Sequence, residues 1–94
     1  MWQVLIEEKA LEFINSLDKR VAENILKNLR LLKENPYPGH GQGDKDAIKG
    51  SSKTSYRMRT GNHRAFYLIE DNKKIARITE IMTTEAAHKK YGRM

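Results

Sequence analysis

Three arginines and a histidine lie within eight residues of one another, in a stretch that otherwise has the pattern of two β-strands. They are Arg57, Arg59, His63 and Arg64. Because Arg57 and Arg59 are two residues apart, a strand points both toward the same face. Arg64 follows the turn signal Gly61-Asn62 and so can lie beside them on the next strand. Converging guanidinium groups repel one another unless an anion lies between them, and their forked donors suit phosphate oxygens. The spacing therefore predicts a phosphate-binding site.

The alternative is an ordinary surface, on which Asp46, Glu70 or Glu80 neutralises each arginine. The sequence does not exclude it. The three histidines do not have the spacing of metal ligands; they are His40, His63 and His88. We therefore expect neither a metal nor a cofactor.

Composition and charge indicate a small basic domain. The chain has 94 residues and no cysteine, and we expect one domain over 1–94 without disulfides. The net charge is +6, and all of the excess positive charge lies in residues 44–94, which contain twelve basic and six acidic residues. This asymmetry indicates a polyanion or an acidic protein as partner, although a solvated basic surface is the alternative. No apolar run is long enough for a membrane span or a secretory signal, so we expect a cytoplasmic protein.

Hydrophobic spacing and turn residues predict the order β-α-α-β-β-β-α. The predicted elements are a strand at 2–6, helices at 8–17 and from the cap Asp18 to about 34, a loop at 36–53, strands at 54–60, 63–69 and 75–82, and a helix at 84–91. The stripe of the second helix is formed by Val21, Ile25, Leu29 and Leu32. We predict an α+β fold in which an α-hairpin packs on one face of a small, mostly antiparallel sheet. Tyr56 and Met58 should face the helices, and the arginines should face away.

The segment YRMRTGNHRAFY, residues 56–67, resembles the most recognisable motif of the RelE/ParE superfamily of toxins from toxin–antitoxin pairs. Ile48-Lys49-Gly50 is similar to that family's Leu-x-Gly step, and Tyr91 falls where many members have an aromatic residue. The resemblance covers nearly the whole chain. It implies a fold similar to that of microbial ribonucleases.

For the RelE branch, the resemblance implies a metal-independent endoribonuclease that cuts mRNA on the ribosome by attack of a ribose 2′-hydroxyl on the adjacent phosphate. Arg57 and Arg59 would be the cationic groups of the second strand, and Arg64 would bind the phosphate. Tyr91 would stack on a base. Lys49, Lys53 and His63 are further candidates for RNA binding, with His63 expected to pack or stack.

Two positions depart from that branch. Its second-strand cations are lysines, one of them a candidate base, and an arginine is effectively never deprotonated, so Arg57 cannot take that role. The arginine expected before the terminal tyrosine falls near Thr84-Glu85. Glu85 or His88 could instead transfer protons. His88 and Tyr91 are three residues apart and would share a helix face.

Three functions follow from the resemblance. The first is a ribosome-dependent mRNA endoribonuclease, which inhibits translation until a cognate antitoxin binds it. The second is a ParE-like inhibitor of DNA gyrase, and the third is a non-catalytic member that binds only antitoxin or RNA. The expected partners are the ribosome, mRNA and an antitoxin with an acidic, partly disordered segment, with which the chain could form a heterotetramer; no membrane partner is expected.

Overall fold

The computed structural model of the protein describes residues 1–49 and 54–92. Its main elements are β1 (Gln3–Ile6), α1 (Glu8–Asn15), α2 (Lys19–Arg30), β2 (Asp44–Lys49), β3 (Thr54–Thr60), β4 (His63–Glu70), β5 (Ile75–Thr83) and α3 (Thr84–Tyr91). The strands form a five-stranded sheet in the order β1-β5-β4-β3-β2. β1 is parallel to β5, and the other neighbouring pairs are antiparallel. The predicted α+β class is confirmed.

Side-chain caps begin two of the helices. The Asp18 carboxylate accepts a hydrogen bond of 2.9 Å from the backbone N–H of Arg20, as the sequence predicts for the start of α2. The Thr83 hydroxyl accepts one of 3.1 Å from the backbone N–H of Ala86 and starts α3. No helix in the described part of the chain is long and apolar enough to cross a membrane.

The prediction of a loop over 36–53 is wrong for Asp44–Lys49, which forms β2 and pairs along β3. Aspartate and lysine are poor strand formers, so the local sequence hides this strand, and pairing with β3 supplies what propensity lacks. Gly43 precedes it with φ +109°, and a Cβ at this position would lie 2.6 Å from Cε of Met58. The buried ammonium of Lys45 donates hydrogen bonds to the backbone carbonyls of Asn35 and His40, which attach the preceding loop to β2.

The hydrophobic core lies between α1, α2 and one face of the sheet, as the stripes predict. Met58 on β3 is opposite Ala65 on β4, and both are fully buried in the cluster that holds Leu29 of α2. Tyr67 is also buried there, and its hydroxyl donates a hydrogen bond of 2.7 Å to the carbonyl of Pro36. This arrangement satisfies the one polar atom of a core side chain, and burial raises the pKa of that hydroxyl.

Candidate functional site: the arginine face

The three arginines of the motif lie on the sheet face opposite α1 and α2, which we call the arginine face. Met58 points into the core, so its neighbours Arg57 and Arg59 point the other way. Arg59 pairs directly with Arg64 across β3 and β4. The predicted direction of these side chains is confirmed, but their partners differ among the three.

Arg57 is a buried ion-pair residue rather than an exposed cation. One of its terminal nitrogens lies 2.5 Å from a carboxylate oxygen of Asp46, the residue opposite it on β2. The Arg57 side chain is only 5% exposed, whereas that of Asp46 is 46% exposed. The structure therefore does not bring Arg57 into contact with solvent, and the alternative of neutralisation by a carboxylate applies to this arginine.

Arg59 and Arg64 form the accessible part of the arginine face. Nε of Arg59 lies 3.9 Å from a carboxylate oxygen of Asp44, too far for a hydrogen bond, and both side chains are largely exposed. Half-buried Arg64 donates hydrogen bonds to the carbonyls of Gly61 and His63, and forms no salt bridge with any residue of 1–49 or 54–92.

The electrostatics of Arg64 favour an anion at this position. Burial lowers the pKa of the Arg64 guanidinium, repulsion from Arg59 and Arg57 lowers it further, and Asp44 acts in the opposite direction. A phosphate placed between Arg59 and Arg64 would offset this repulsion and accept hydrogen bonds from both.

Glu85 and His88 lie together on α3, in a groove that the three arginines of the motif do not line. They line a shallow groove of about 490 Å³ with Asn62, Thr84 and Lys89. The Glu85 carboxylate is 3.4 Å from the Lys89 ammonium, and both side chains are exposed. Arg64 bonds the carbonyl of Gly61, so the β3–β4 turn of Gly61 and Asn62 borders both the guanidinium and the groove.

Tyr91 is held on the arginine face by two contacts. Its ring lies 4.7 Å from that of Phe66, measured between centroids, and its hydroxyl donates a hydrogen bond of 2.7 Å to Glu80. Tyr91 as a residue is 42% exposed, so it remains accessible to a ligand. Although His88 and Tyr91 are on one helix, Tyr91 packs on the sheet whereas His88 lines the groove beside Asn62.

Glu80 is the centre of a charged network that attaches α3 to the sheet. Its carboxylate accepts hydrogen bonds from the ammonium groups of Lys9 and Lys90 as well as from Tyr91. Burial by itself raises the pKa of Glu80, but the bonds from Lys90, Tyr91 and Lys9 outweigh it and lower the pKa from 4.5 to about 2. Glu80 thus does not neutralise an arginine of the motif.

Because this pKa is depressed, the ionised Glu80 stabilises the fold above pH 4.5, and the contribution disappears as the pH falls through about 2. We expect Glu80→Gln to lower the free energy of unfolding by about 1–3 kcal/mol at pH 7. The difference from wild type should shrink below pH 4.5 and vanish near pH 2. Urea unfolding at a series of pH values measures it. A difference that is constant over this range would exclude the ionised carboxylate as its source.

Among the other RNA-binding candidates, His63 lies away from the arginine face. His63 packs edge-on against Phe13 of α1, with 5.8 Å between ring centroids, and burial lowers its pKa. The expectation that this ring packs is confirmed, but it lies on the helix side of the sheet. Lys49 is the last residue of β2. Lys53 lies outside the described residues.

The sequence indicates Asp46 as an alternative partner of the arginines, but it gives no direct indication of Asp44. Asp44 and Asp46 each lie directly opposite an arginine, Arg59 and Arg57 respectively. The signal is present in the alternation of Asp44 and Asp46 with Lys45, which has the period of a strand. The pairing of these aspartates with the arginines becomes evident only when β2 is recognised as the partner of β3.

Comparison with known protein families gives a match over most of the chain. The family model for the ParE toxin of the type II toxin–antitoxin system parDE matches residues 4–87. This match confirms the family resemblance that the motif indicates. No curated protein sequence matches the chain significantly.

Several solved structures share the fold at low sequence identity. The RelE–RelB complex from Pyrococcus horikoshii matches with a TM-score of 0.73 and 23% identity over 87% of this chain and 93% of that chain. The toxin–antitoxin complex RelBE2 from Mycobacterium tuberculosis matches with a TM-score of 0.74 and 16% identity, over 87% and 96% of the two chains. The YoeB dimer from Staphylococcus aureus matches with a TM-score of 0.63 and 20% identity, over 84% and 92%.

Proposed function

Because the chain belongs to the ParE toxin family of type II toxin–antitoxin systems, we propose that it is a toxin that cleaves ribosome-bound mRNA as a metal-independent endoribonuclease. The observation that carries this proposal is the pairing of Arg59 and Arg64 next to a turn that also borders the Glu85–His88 groove. A cationic phosphate site and groups able to transfer protons are the two requirements for cleavage by a 2′-hydroxyl.

Each group has a distinct task in this mechanism. Arg59 and Arg64 bind the scissile phosphate and stabilise the negative charge that develops on it during attack by the 2′-hydroxyl. His88 or Glu85 accepts the proton of that hydroxyl or supplies one to the departing 5′-oxygen. The exposed part of the Tyr91 ring stacks on a base, and its contact with Phe66 pre-orders the ring for this task.

The proposed partners follow from the charge. The basic residues 44–94 suit mRNA on the ribosome and, for inhibition, a cognate antitoxin whose acidic segment covers the arginine face. Such a toxin and its antitoxin would assemble as a heterotetramer. Arg57, in contrast, stabilises the fold and does not bind the ligand, since its ion pair with Asp46 joins β3 to the edge strand β2.

A second candidate is inhibition of DNA gyrase, as the resemblance implies for the ParE branch. Two observations favour it. The matching family model is that of the ParE toxin, and β3 has no lysine at the positions where the RelE branch has its candidate general base. Two assays separate these candidates: primer-extension mapping of mRNA in a translating extract, and detection of trapped complexes of DNA gyrase with DNA. RNA cuts that appear only with ribosomes support the endoribonuclease. Trapped gyrase–DNA complexes without RNA cuts support the gyrase inhibitor.

We expect His88→Ala to reduce the rate of mRNA cleavage by about 10²–10⁴-fold, because it removes a proton-transfer group, and to leave RNA affinity nearly unchanged. The measurement is the single-turnover cleavage rate on programmed ribosomes. His40→Ala is the matched control, since it removes an exposed histidine far along the chain from the groove. Equal rates for the two variants would remove His88 from the mechanism.

A further inference from the structure

The two aspartates of β2 face two arginines of β3 in the same register but in different surroundings. Asp46 holds the buried guanidinium of Arg57 at 2.5 Å. Asp44 approaches the exposed guanidinium of Arg59 only to 3.9 Å, and the exposures of the two side chains are 60% and 45%. The first pair is a structural ion pair, whereas the second is held by charge alone and separates easily in water.

We propose that Asp44 sets the affinity of the anion site, as a carboxylate that competes with phosphate for Arg59. This inference rests on the proposed function, since it concerns how tightly the same site binds its ligand. Asp44, Arg59 and Arg64 are consecutive partners in one row across β2, β3 and β4. An anion that binds Arg59 is therefore repelled by the neighbouring Asp44 carboxylate, and the two compete for the same guanidinium.

The consequence is an affinity penalty on every anion that contacts Arg59. A lone phosphate that reaches Arg59 gains a guanidinium contact but is repelled by Asp44. A phosphate whose nucleotide also contacts Arg64 and Tyr91 has further favourable contacts that offset the same penalty. Asp44 thus lowers the affinity for any anion at Arg59, so that tight binding requires the contacts of the complete site.

The test is the affinity of the purified chain for a fluorescently labelled single-stranded RNA decanucleotide, measured by anisotropy at low and moderate salt. We expect Asp44→Asn to tighten binding about 3–10-fold at low salt, because an adjacent negative charge is removed. Glu12→Gln, an exposed position on α1, removes the same charge from the opposite side of the sheet and should change the affinity less than twofold. Equal affinities for these two variants would overturn the inference.

A double substitution identifies the group through which Asp44 acts. In an Arg59→Ala background, Asp44→Asn should lose most of its effect, because the carboxylate then has no guanidinium to occupy. A gain that persists in full would also overturn the inference. In contrast, Asp46→Asn should lower the melting temperature, because it leaves the buried Arg57 without its counterion.

Arg64→Ala separates the failure of this inference from that of the proposed function. If it weakens RNA binding while Asp44→Asn has no effect, the anion site stands and the competition is wrong. If Arg64→Ala binds RNA as wild type does, the arginine face is not the RNA site, and both proposals fail.

Discussion

Replacement of Arg64 by alanine is expected to abolish growth arrest when the chain is expressed without an antitoxin. Arg64 is the arginine of the motif that forms no salt bridge within the described residues, and it is the partner of Arg59 in the register of β3 and β4. Loss of a charge-assisted contact to phosphate in the transition state should reduce cleavage at least about 10²-fold. Colony formation after induction and the single-turnover cleavage rate are the measurements.

Two variants control this experiment. Arg30→Ala removes an equal charge from the exposed C-terminal turn of α2, on the other side of the sheet, and should remain toxic. Arg64→Lys keeps the charge but not the forked donors, so it should retain only part of the activity. A melting temperature near that of wild type shows that Arg64→Ala is folded. Full growth arrest by the folded Arg64→Ala protein would exclude the phosphate site.

Leu29→Ala is expected to lower the free energy of unfolding by about 2–5 kcal/mol, a larger loss than that expected for Glu80→Gln. Leu29 is 1% exposed and belongs to the cluster that joins α2 to the sheet, so its truncation leaves a cavity that neighbouring elements cannot fill completely. In a domain of this size, such a loss lowers the melting temperature by roughly 10 °C or more. Thermal and urea unfolding of the purified chain measure it.

Val21 provides the matched control on the same helix. It belongs to the predicted stripe, but it is 38% exposed in the structure, whereas Ile25 and Leu29 are buried. Val21→Ala should therefore change the free energy of unfolding by less than about 1 kcal/mol. Equal effects of Leu29→Ala and Val21→Ala would show that α2 does not pack on the sheet through Leu29.

The arginine face also explains why an arginine cluster in a sequence is an incomplete predictor of a site. The sum of the three guanidinium charges is reduced by the two aspartates of β2, which lie opposite Arg57 and Arg59. What remains accessible is a pair, Arg59 and Arg64, with a competing carboxylate beside it. The site should consequently bind anions less tightly than the count of arginines indicates.

Local sequence alone determined much of this protein. The stripes of α1 and α2 and the alternation in β3 identify the core face, because burying one side of each element is the main source of stability. The same alternation assigns Arg57 and Arg59 to the other face, and the turn at Gly61-Asn62 brings Arg64 beside Arg59. Burial of Tyr67 and the capping role of Asp18 follow from equally local rules.

Only the tertiary structure decided which arginines are free to act. β2 forms because it pairs with β3, although Asp44–Lys49 has little strand propensity of its own. Its aspartates lie opposite Arg57 and Arg59, which are more than ten residues away along the chain. Glu80 likewise accepts hydrogen bonds from Lys9, near the start of the sequence, and from Lys90 and Tyr91, near its end. Ion pairs depend on distances of a few ångströms between such remote residues, and no local pattern in the sequence specifies these distances.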